Sequence, residues 1–337
     1  MSAKRKRNDP ANRVLRILLI VLLVLVVIAG GLFIFIQVKL GAIGRVFSSN
    51  YGDESTDITQ IEAVDWGEAG VATSVDGVVN VLLVGQDTRT GERERSDTMI
   101  ILSINKNTEQ ITMVSLMRDL YVQIPGYSNN RLNAAYQLGG FDLLDETIET
   151  NFAIVIDYNV EVDFEGFENI IETLGGIDVE LTEAEAEYIN GKLKQDTLVE
   201  GVNHLSGEEA LWYCRTRKVG NSDFERTERQ RRVLEIIFED LKDASWLKLL
   251  KAYDSVASSI TTDMNNTQII SIAYSAYTMD LSEMNSYRIP ADNTYYNATL
   301  SAGMEVLIPN DWDETRALLW DYLYSDPEEE TETETDE

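Results

Sequence analysis

Residues 78–85 read VVNVLLVG, and residues 98–116 read TMIILSINKNTEQITMVSL. The first is a short apolar run, rich in β-branched side chains and closed by a glycine, which is the pattern of a buried strand. The second holds two apolar segments, Thr98–Asn105 and Gln110–Leu116, on either side of a Lys-Asn-Thr turn, and reads as a hairpin. Downstream, helical spacing over Asn133–Asn151 is interrupted by a Gly-Gly pair. Ile154–Val162 returns to strand, Phe164–Leu174 to helix ending at Gly175-Gly176, and Ile177–Leu181 to strand. Three helices follow, near 206–216, 223–243 and 246–260. Strands interleaved with helices predict an α/β fold, with a central sheet covered on its faces. There is no internal repeat.

Upstream of this region, Ile17–Val38 is an uncharged stretch of 22 residues, long enough as a helix to cross the ~30 Å hydrocarbon core of a bilayer. It is too long for a signal-peptide core and lacks a clean cleavage site, so it reads as one transmembrane helix, a retained signal anchor. Lys4, Arg5, Lys6, Arg7, Arg13 and Arg16 precede it with only Asp9 opposing, which places residues 1–16 in the cytoplasm and the rest outside. Residues 39–77 read as a stalk, 78–243 as the catalytic core and 244–325 as a helical or mixed extension packed on that core. The last twelve residues, 326–337, contain eight acids and no aliphatic side chain, and read as a disordered tail.

Composition narrows the chemistry. Basic side chains number 28 against 58 acidic ones, a formal charge of −30, which argues against a nucleic-acid partner. Any anion site must therefore be built locally, against the general field. Cys214 is the only cysteine and His204 the only histidine, so an intramolecular disulfide, a cysteine-rich zinc site and a two-histidine metal site are all excluded. Both residues read as structural. A working metal would be a hard cation held by carboxylates, magnesium or manganese.

Arginine is unevenly distributed. Of the 14 arginines in residues 39–337, 11 fall within 89–95, 118–131, 215–217 and 226–232. Its planar fork suits bidentate phosphate contacts, so the clusters point to a multiply charged phosphate ligand. In the 223–243 helix, Val233, Leu234, Ile237, Phe238 and Leu241 form an apolar stripe; stepping back by four reaches Gln230 and Arg226. Those two should point inward at the helix start, where free N–H groups and the positive dipole end lie. Ser222 with Glu225 reads as a capping box there, and Ser206 with Glu209 as another. Arg231 and Arg232 read as a solvated face beside Glu225 and Glu228. Arg215 and Arg217 share a side if the chain is extended at that point. Asp87 follows the buried strand and Asp97 precedes the next one, beside Arg95. Either alone reads as a turn aspartate; in combination with the arginines, the two could share a divalent cation and a pyrophosphate.

VLLVGQDTR (81–89), RSDTMIILSIN (95–105), VSLMRDLYVQIPG (114–126), RLNAAYQLGG (131–140), VDFEGFENIIETLGGIDVEL (162–181), HLSGEEALWYCRTRK (204–218) and DFERTERQRRV (223–233) together resemble the LytR–CpsA–Psr family of cell-wall phosphotransferases. Arg131 departs from the family's usual lysine, and Met117 from the proline that usually precedes the Arg-Asp pair. The resemblance implies a three-layer fold, a mixed sheet between helices with an apolar pocket for a lipid tail. It also implies transfer of a teichoic-acid- or capsule-like glycopolymer from an undecaprenyl-pyrophosphate carrier to peptidoglycan, at the outer surface of the membrane. On that resemblance Asp87 and Asp97 are the magnesium carboxylates, manganese being the substitute. Arg89, Arg95, Arg118, Arg215, Arg217, Arg226 and Gln230 grip the pyrophosphate, and Asp87, Asp97 and Arg118 carry catalysis. A lipid-pyrophosphate hydrolase would use the same residues, and a polyprenyl-phosphate-binding sensor would use them without turnover.

Overall fold

The computed structural model describes residues 40, 44–45, 64–86, 96–220, 223–242, 244, 257–279, 284–300 and 303–325. The apolar run 17–38 and the acidic tail 326–337 lie outside them. Among the described residues no helix is long and apolar enough to cross a membrane. In chain order the elements are β1 (Gly44–Arg45), β2 (Val78–Gln86), β3 (Thr98–Asn105), β4 (Gln110–Leu116), β5 (Tyr121–Val122), β6 (Asn130–Arg131), α1 (Leu132–Phe152), β7 (Tyr158–Asp163), α2 (Phe164–Leu174), β8 (Ile177–Leu181), α3 (Glu183–Leu193), β9 (Gly201–Leu205) and α4 (Gly207–Arg215). They continue with α5 (Asp223–Lys242), β10 (Ile260–Thr262), α6 (Asn266–Thr278), β11 (Asn285–Ile289), β12 (Tyr295–Thr299), β13 (Glu305–Pro309) and α7 (Trp312–Tyr324).

A seven-stranded mixed sheet, ordered β1-β10-β7-β2-β3-β4-β11, forms the centre. Strands β2, β3 and β4 are antiparallel neighbours, with Leu82 opposite Ile101 and Ile101 opposite Val114. Strand β7 runs parallel to β2, and β11 parallel to β4. Alternation then sorts side chains by face. Leu82, Val84, Met99, Ile101, Val114 and Leu116 join Leu144 and Ile148 of α1 and Leu319 and Leu323 of α7. Val81, Ile100, Leu102, Ile111 and Met113 join Leu234 and Phe238 of α5 and Ile272 of α6. Each fully buried Leu or Ile contributes roughly 1.5–3 kcal/mol, so both faces hold the sheet. In α1, Gly140 takes φ 68 and ψ −149, which kinks the helix at the expected Gly-Gly interruption.

The hairpin β8–β9 and helices α2, α3 and α4 enclose a second core of Ile171, Ile177, Leu205 and Tyr213, completed by Val233 and Ile237 of α5. Helix α5 is therefore wedged between this unit and the sheet. The expected single stripe splits: Val233, Ile237 and Leu241 serve one core, Leu234 and Phe238 the other. A helix with neighbours on two sides has no broad solvated face.

Several boundaries move. The strand expected at 154–162 begins at Tyr158, and Ile154 makes only an isolated bridge to Thr73. The helix expected near 246–260 falls mostly outside the described residues, and its last member, Ile260, starts β10. Helix α3, absent from the expected elements, begins at a complete Thr182–Glu185 capping box. Residues from Val64 on are not stalk: Trp66 packs 5.4 Å from Trp312, ring centre to centre. Nor is the segment after 243 an extension on a finished core, because β10 and β11 are sheet strands and Trp312 is fully buried in the main core.

Candidate functional site

The antiparallel order of β2, β3 and β4 brings the end of β2, the start of β3 and the end of β4 to one edge of the sheet. Asp97 donates its backbone N–H to the Gly85 carbonyl at 3.2 Å, which ties the start of β3 to the end of β2. Arg118 and Asp119 follow β4 at the same edge, and the first turn of α5 meets them there. Loops beyond strand ends are where sheets of this kind present ligand-binding groups.

Three arginines converge on two carboxylates. Arg118 donates from Nη1 to Asp97 Oδ1 at 2.6 Å and from Nη2 to Asp223 Oδ2 at 2.9 Å. Arg217 reaches Asp97 Oδ2 at 3.2 Å and lies 3.5 Å from Asp223 Oδ1. Arg226, only 2% exposed, sits 2.8 Å from Asp223 Oδ1 through Nη1 and donates from Nη2 to the Asp97 carbonyl at 3.3 Å. Asp119 bridges Arg118 at 3.3 Å and Arg131 at 3.2 Å. Four cations thus face three carboxylates at a site inside a strongly acidic protein. Nε of Arg226 is buried without a hydrogen-bond acceptor among the described residues, while its Nη1 and Nε of Arg118 have only ion-pair contacts, to Asp223 and Asp119, that fall outside hydrogen-bond geometry. Buried charged donors in that condition favour an added oxyanion.

The electrostatics follow from burial and pairing. Burial pushes the Arg226 guanidinium down to about 10, with Arg118 and Arg217 repelling it and Asp223 holding it charged. Burial raises Asp119 above the ordinary carboxylate range against the pull of Arg118 and Arg131. Asp223 is held below that range in spite of burial, because Arg226, Arg118 and Arg217 all attract its negative charge. The two neighbouring acids are therefore unequal, Asp119 being the more ready to hold a proton.

Asp97, Arg118, Arg217 and Arg226 come together as one cluster. Asp87, Arg89 and Arg95 lie outside the described residues, as does Ser222 of the expected α5 capping box; the Ser206–Glu209 box is present in full. Gln230 is half-buried one turn beyond Arg226, with Oε1 lacking a donor among the described residues. Arg215 parts from Arg217 because α4 runs through Arg215, so the extended spacing that would align them begins too late. Its guanidinium lies over Phe164 at 4.6 Å and Trp212 at 5.3 Å. Arg231, expected to be solvated, is 7% exposed and donates to Ser115 Oγ and Ser286 Oγ, both at 2.7 Å. It faces the sheet because α5 is buried on two sides. Arg232 is the solvated one, its side chain 47% exposed and 3.4 Å from Glu228.

Asp119, Asp223 and Arg131 were not among the expected site residues. Asp223 carried a readable signal, three positions before Arg226 on a helix, where side chains meet. Asp97 is half-exposed and offers hard carboxylate oxygens of the kind magnesium takes. Among the described residues no three His, Cys, Asp or Glu side chains cluster as a metal centre.

This cluster sits on a fold with close relatives. A model of the LytR_cpsA_psr family matches residues 46–310. The chain belongs to the LytR–CpsA–Psr family. TagU of Oceanobacillus iheyensis, a polyisoprenyl-teichoic acid–peptidoglycan teichoic acid transferase, is 33% identical over 249 residues, 71% of this chain and 73% of its own. The crystal structure of Bacillus subtilis TagT matches with a TM-score of 0.61 at 28% identity, covering 74% of this chain and 91% of that one. A structure of TagT with bound octaprenyl pyrophosphate lipid matches with a TM-score of 0.58 at 26% identity, covering 78% and 94%. The mixed sheet between helices is the LytR–CpsA–Psr architecture.

Two scarce residues of this LytR–CpsA–Psr chain stand apart from the cluster. His204 is exposed, with Nδ1 2.6 Å from Asp178 Oδ1 and Nε2 2.7 Å from the Gly175 carbonyl, and it fastens β9 to the end of α2. Cys214 is buried in the second core, where desolvation pushes its thiol up to about 12. It should resist a thiol reagent at pH 8 in native buffer and react once denaturant opens the fold. Native labelling at the rate of a free thiol would contradict this placement.

Proposed function

We propose that the protein transfers an anionic or similar glycopolymer from an undecaprenyl-pyrophosphate carrier to peptidoglycan, forming a phosphodiester and releasing undecaprenyl phosphate. The observation that carries this reading is the convergence of Arg118, Arg217 and Arg226 at the sheet edge, with the buried Nε of Arg226 left without an acceptor among the described residues. A pyrophosphate presents several anionic oxygens, and forked guanidinium groups match them in pairs. The names of TagU and TagT and the lipid-bound TagT structure support the same reading.

In this mechanism the arginines bind the pyrophosphate and stabilise the charge that develops as the acceptor hydroxyl displaces the lipid phosphate. Asp87 and Asp97 would hold magnesium, which supplies further charge neutralisation to the phosphates when bound. Arg118 and Arg217 release part of their hold on Asp97 to engage the ligand, and Asp223 keeps Arg226 charged and oriented. Asp119, beside Arg118 and with its proton affinity raised by burial, would take the hydroxyl proton.

The decisive assay incubates the purified full chain with a polyprenyl-pyrophosphate disaccharide and a peptidoglycan glycan fragment. Mass spectrometry should find a phosphodiester-linked product and polyprenyl phosphate. Polyprenyl phosphate with free sugar phosphate and no linked product would identify a hydrolase instead. No consumption of donor would leave only a binding role.

The donor lipid is confined to a membrane, and the apolar run 17–38 would hold the site on the same surface. With six basic residues before Ile17, the carboxyl end should lie outside the cytoplasm. Alkaline phosphatase fused after Ser325 should therefore be active in cells; a stable but inactive fusion would overturn this topology.

A further inference from the structure

Beside the arginine–aspartate cluster lies a cleft that the pyrophosphate reading does not use. Its volume is about 430 Å³, and it runs between the first half of α5 and the ends of β11 and α7. Phe224, the residue after Asp223, forms part of its wall, so the cleft adjoins the turn of α5 that carries Asp223. Tyr287 and Tyr322 stack face to face, centroids 3.9 Å apart and planes 2° from parallel. Arg288 lies 4.2 Å over the Phe224 ring. An aromatic wall of this kind suits the apolar faces of sugar rings, while mixed polar groups suit their hydroxyls.

The cleft also carries an imbalance of charge. Each acid on its wall belongs to a different arginine: Glu225 to Arg229, Glu228 to Arg232 and Asp292 to Arg288. Arg231 has none. Among the described residues its guanidinium meets only the hydroxyls of Ser115 and Ser286, with no carboxylate within ion-pair distance, although it is 7% exposed and lines the cleft. Glu228 and Glu235 supply attraction from farther off. A buried cation with neutral partners, next to an aromatic wall, fits a sugar that bears a carboxylate.

The position bears on which side of the reaction the cleft serves. The cluster lies where β3 begins and β4 ends; β11 is beyond β4 on one flank, while β7, with the Phe164–Arg215 contact at the start of α2, is on the other side, beyond β2. An in-line displacement brings the attacking hydroxyl and the leaving group to opposite sides of the phosphorus. The cleft's polar lining does not suit a lipid tail, which leaves the β11 flank to the incoming sugar. We propose that this cleft is the acceptor subsite and binds a carboxylate-bearing glycan of the peptidoglycan type, its rings against Tyr287, Tyr322 and Phe224 and its acid on Arg231. This inference rests on the transferase reading above.

Binding can be measured apart from transfer. The full chain in detergent is titrated with a β-1,4-linked N-acetylglucosamine–N-acetylmuramic acid tetrasaccharide with free carboxylates, and with the neutral N-acetylglucosamine tetrasaccharide. The acidic probe should bind at least tenfold more tightly, and Arg231→Gln should remove that preference. Tyr322→Leu, which keeps apolar volume, should weaken both sugars about equally, and it serves if Arg231→Gln fails to fold. In transfer assays both variants should raise the acceptor KM at least tenfold and leave the donor KM within twofold. Equal affinity of wild type and both variants for the acidic probe would overturn the subsite. A rise in donor KM instead would assign the cleft to the donor glycan and also overturn it. If the wild type bound the acidic probe through Arg231 but never consumed donor, the subsite would stand and the transferase reading would fail.

Discussion

Arg226→Ala should lower glycan transfer about a hundredfold, whereas Arg232→Ala, six residues along the same helix, should leave it within a few-fold. Arg226 is 2% exposed and its N–H groups lie against Asp97 and Asp223. Losing a charge-assisted contact of this kind costs about 1.5–3 kcal/mol, roughly ten- to hundredfold. The truncation also leaves Asp223 with one cation fewer, which places the effect at the upper end. Arg232 is half-exposed, with Glu228 at 3.4 Å, and exposed pairs contribute about 0–1 kcal/mol. Transfer rates should be compared at equal stability, verified by chemical denaturation. Equal losses in the two variants would remove Arg226 from the site.

Arg229→Met should be the most destabilising of the arginine substitutions. The side chain is 5% exposed and donates to Glu185 Oε1 at 2.6 Å, Glu225 Oε2 at 2.8 Å and the carbonyls of Thr216 and Val219 at 3.1 and 3.2 Å. Breaking a buried pair by removing one partner typically costs about 3–5 kcal/mol, since the other charge stays buried alone. Thermal unfolding should move down by roughly 10 °C. Adding Glu185→Gln should recover part of the loss, because the unpaired charge is gone while the amide oxygen can still accept from Thr182 at the start of α3. If the double variant were less stable than the single one by the full cost of a second broken contact, the pair would not be the source. Activity should fall as well, since the carbonyls Arg229 holds flank Arg217, one of the three cluster arginines.

These two arginines show how far linear reading extends. Arg226 was legible because it continues the α5 apolar period backwards, and a period of 3.6 is a local property of the chain. Arg229 and Arg231 were not, because their burial depends on a second neighbour of α5 that no local pattern announces. One period marks one buried face; a helix wedged between a sheet and a helical unit has two. Arg215 shows a similar limit, since the alternation argument needed an extended chain and Arg215 is still the last residue of α4.

The chain by itself determined the elements whose causes are local. The β3–β4 hairpin, α2 and β8 appear at the residues expected from alternation, the Lys-Asn-Thr turn and the Gly175-Gly176 stop. Charge and composition likewise limited the chemistry before any fold was known. Tertiary structure decided the rest. Strand β11, NSYRI, has no clear alternation of its own and becomes a strand by pairing with β4, more than 150 residues earlier. Asp223 and Asp97, far apart in sequence, become a shared seat for three arginines only when the start of α5 meets the sheet edge. Periodicity and turn chemistry are written over a few residues, whereas the partners of a buried charge are chosen by packing across the whole chain.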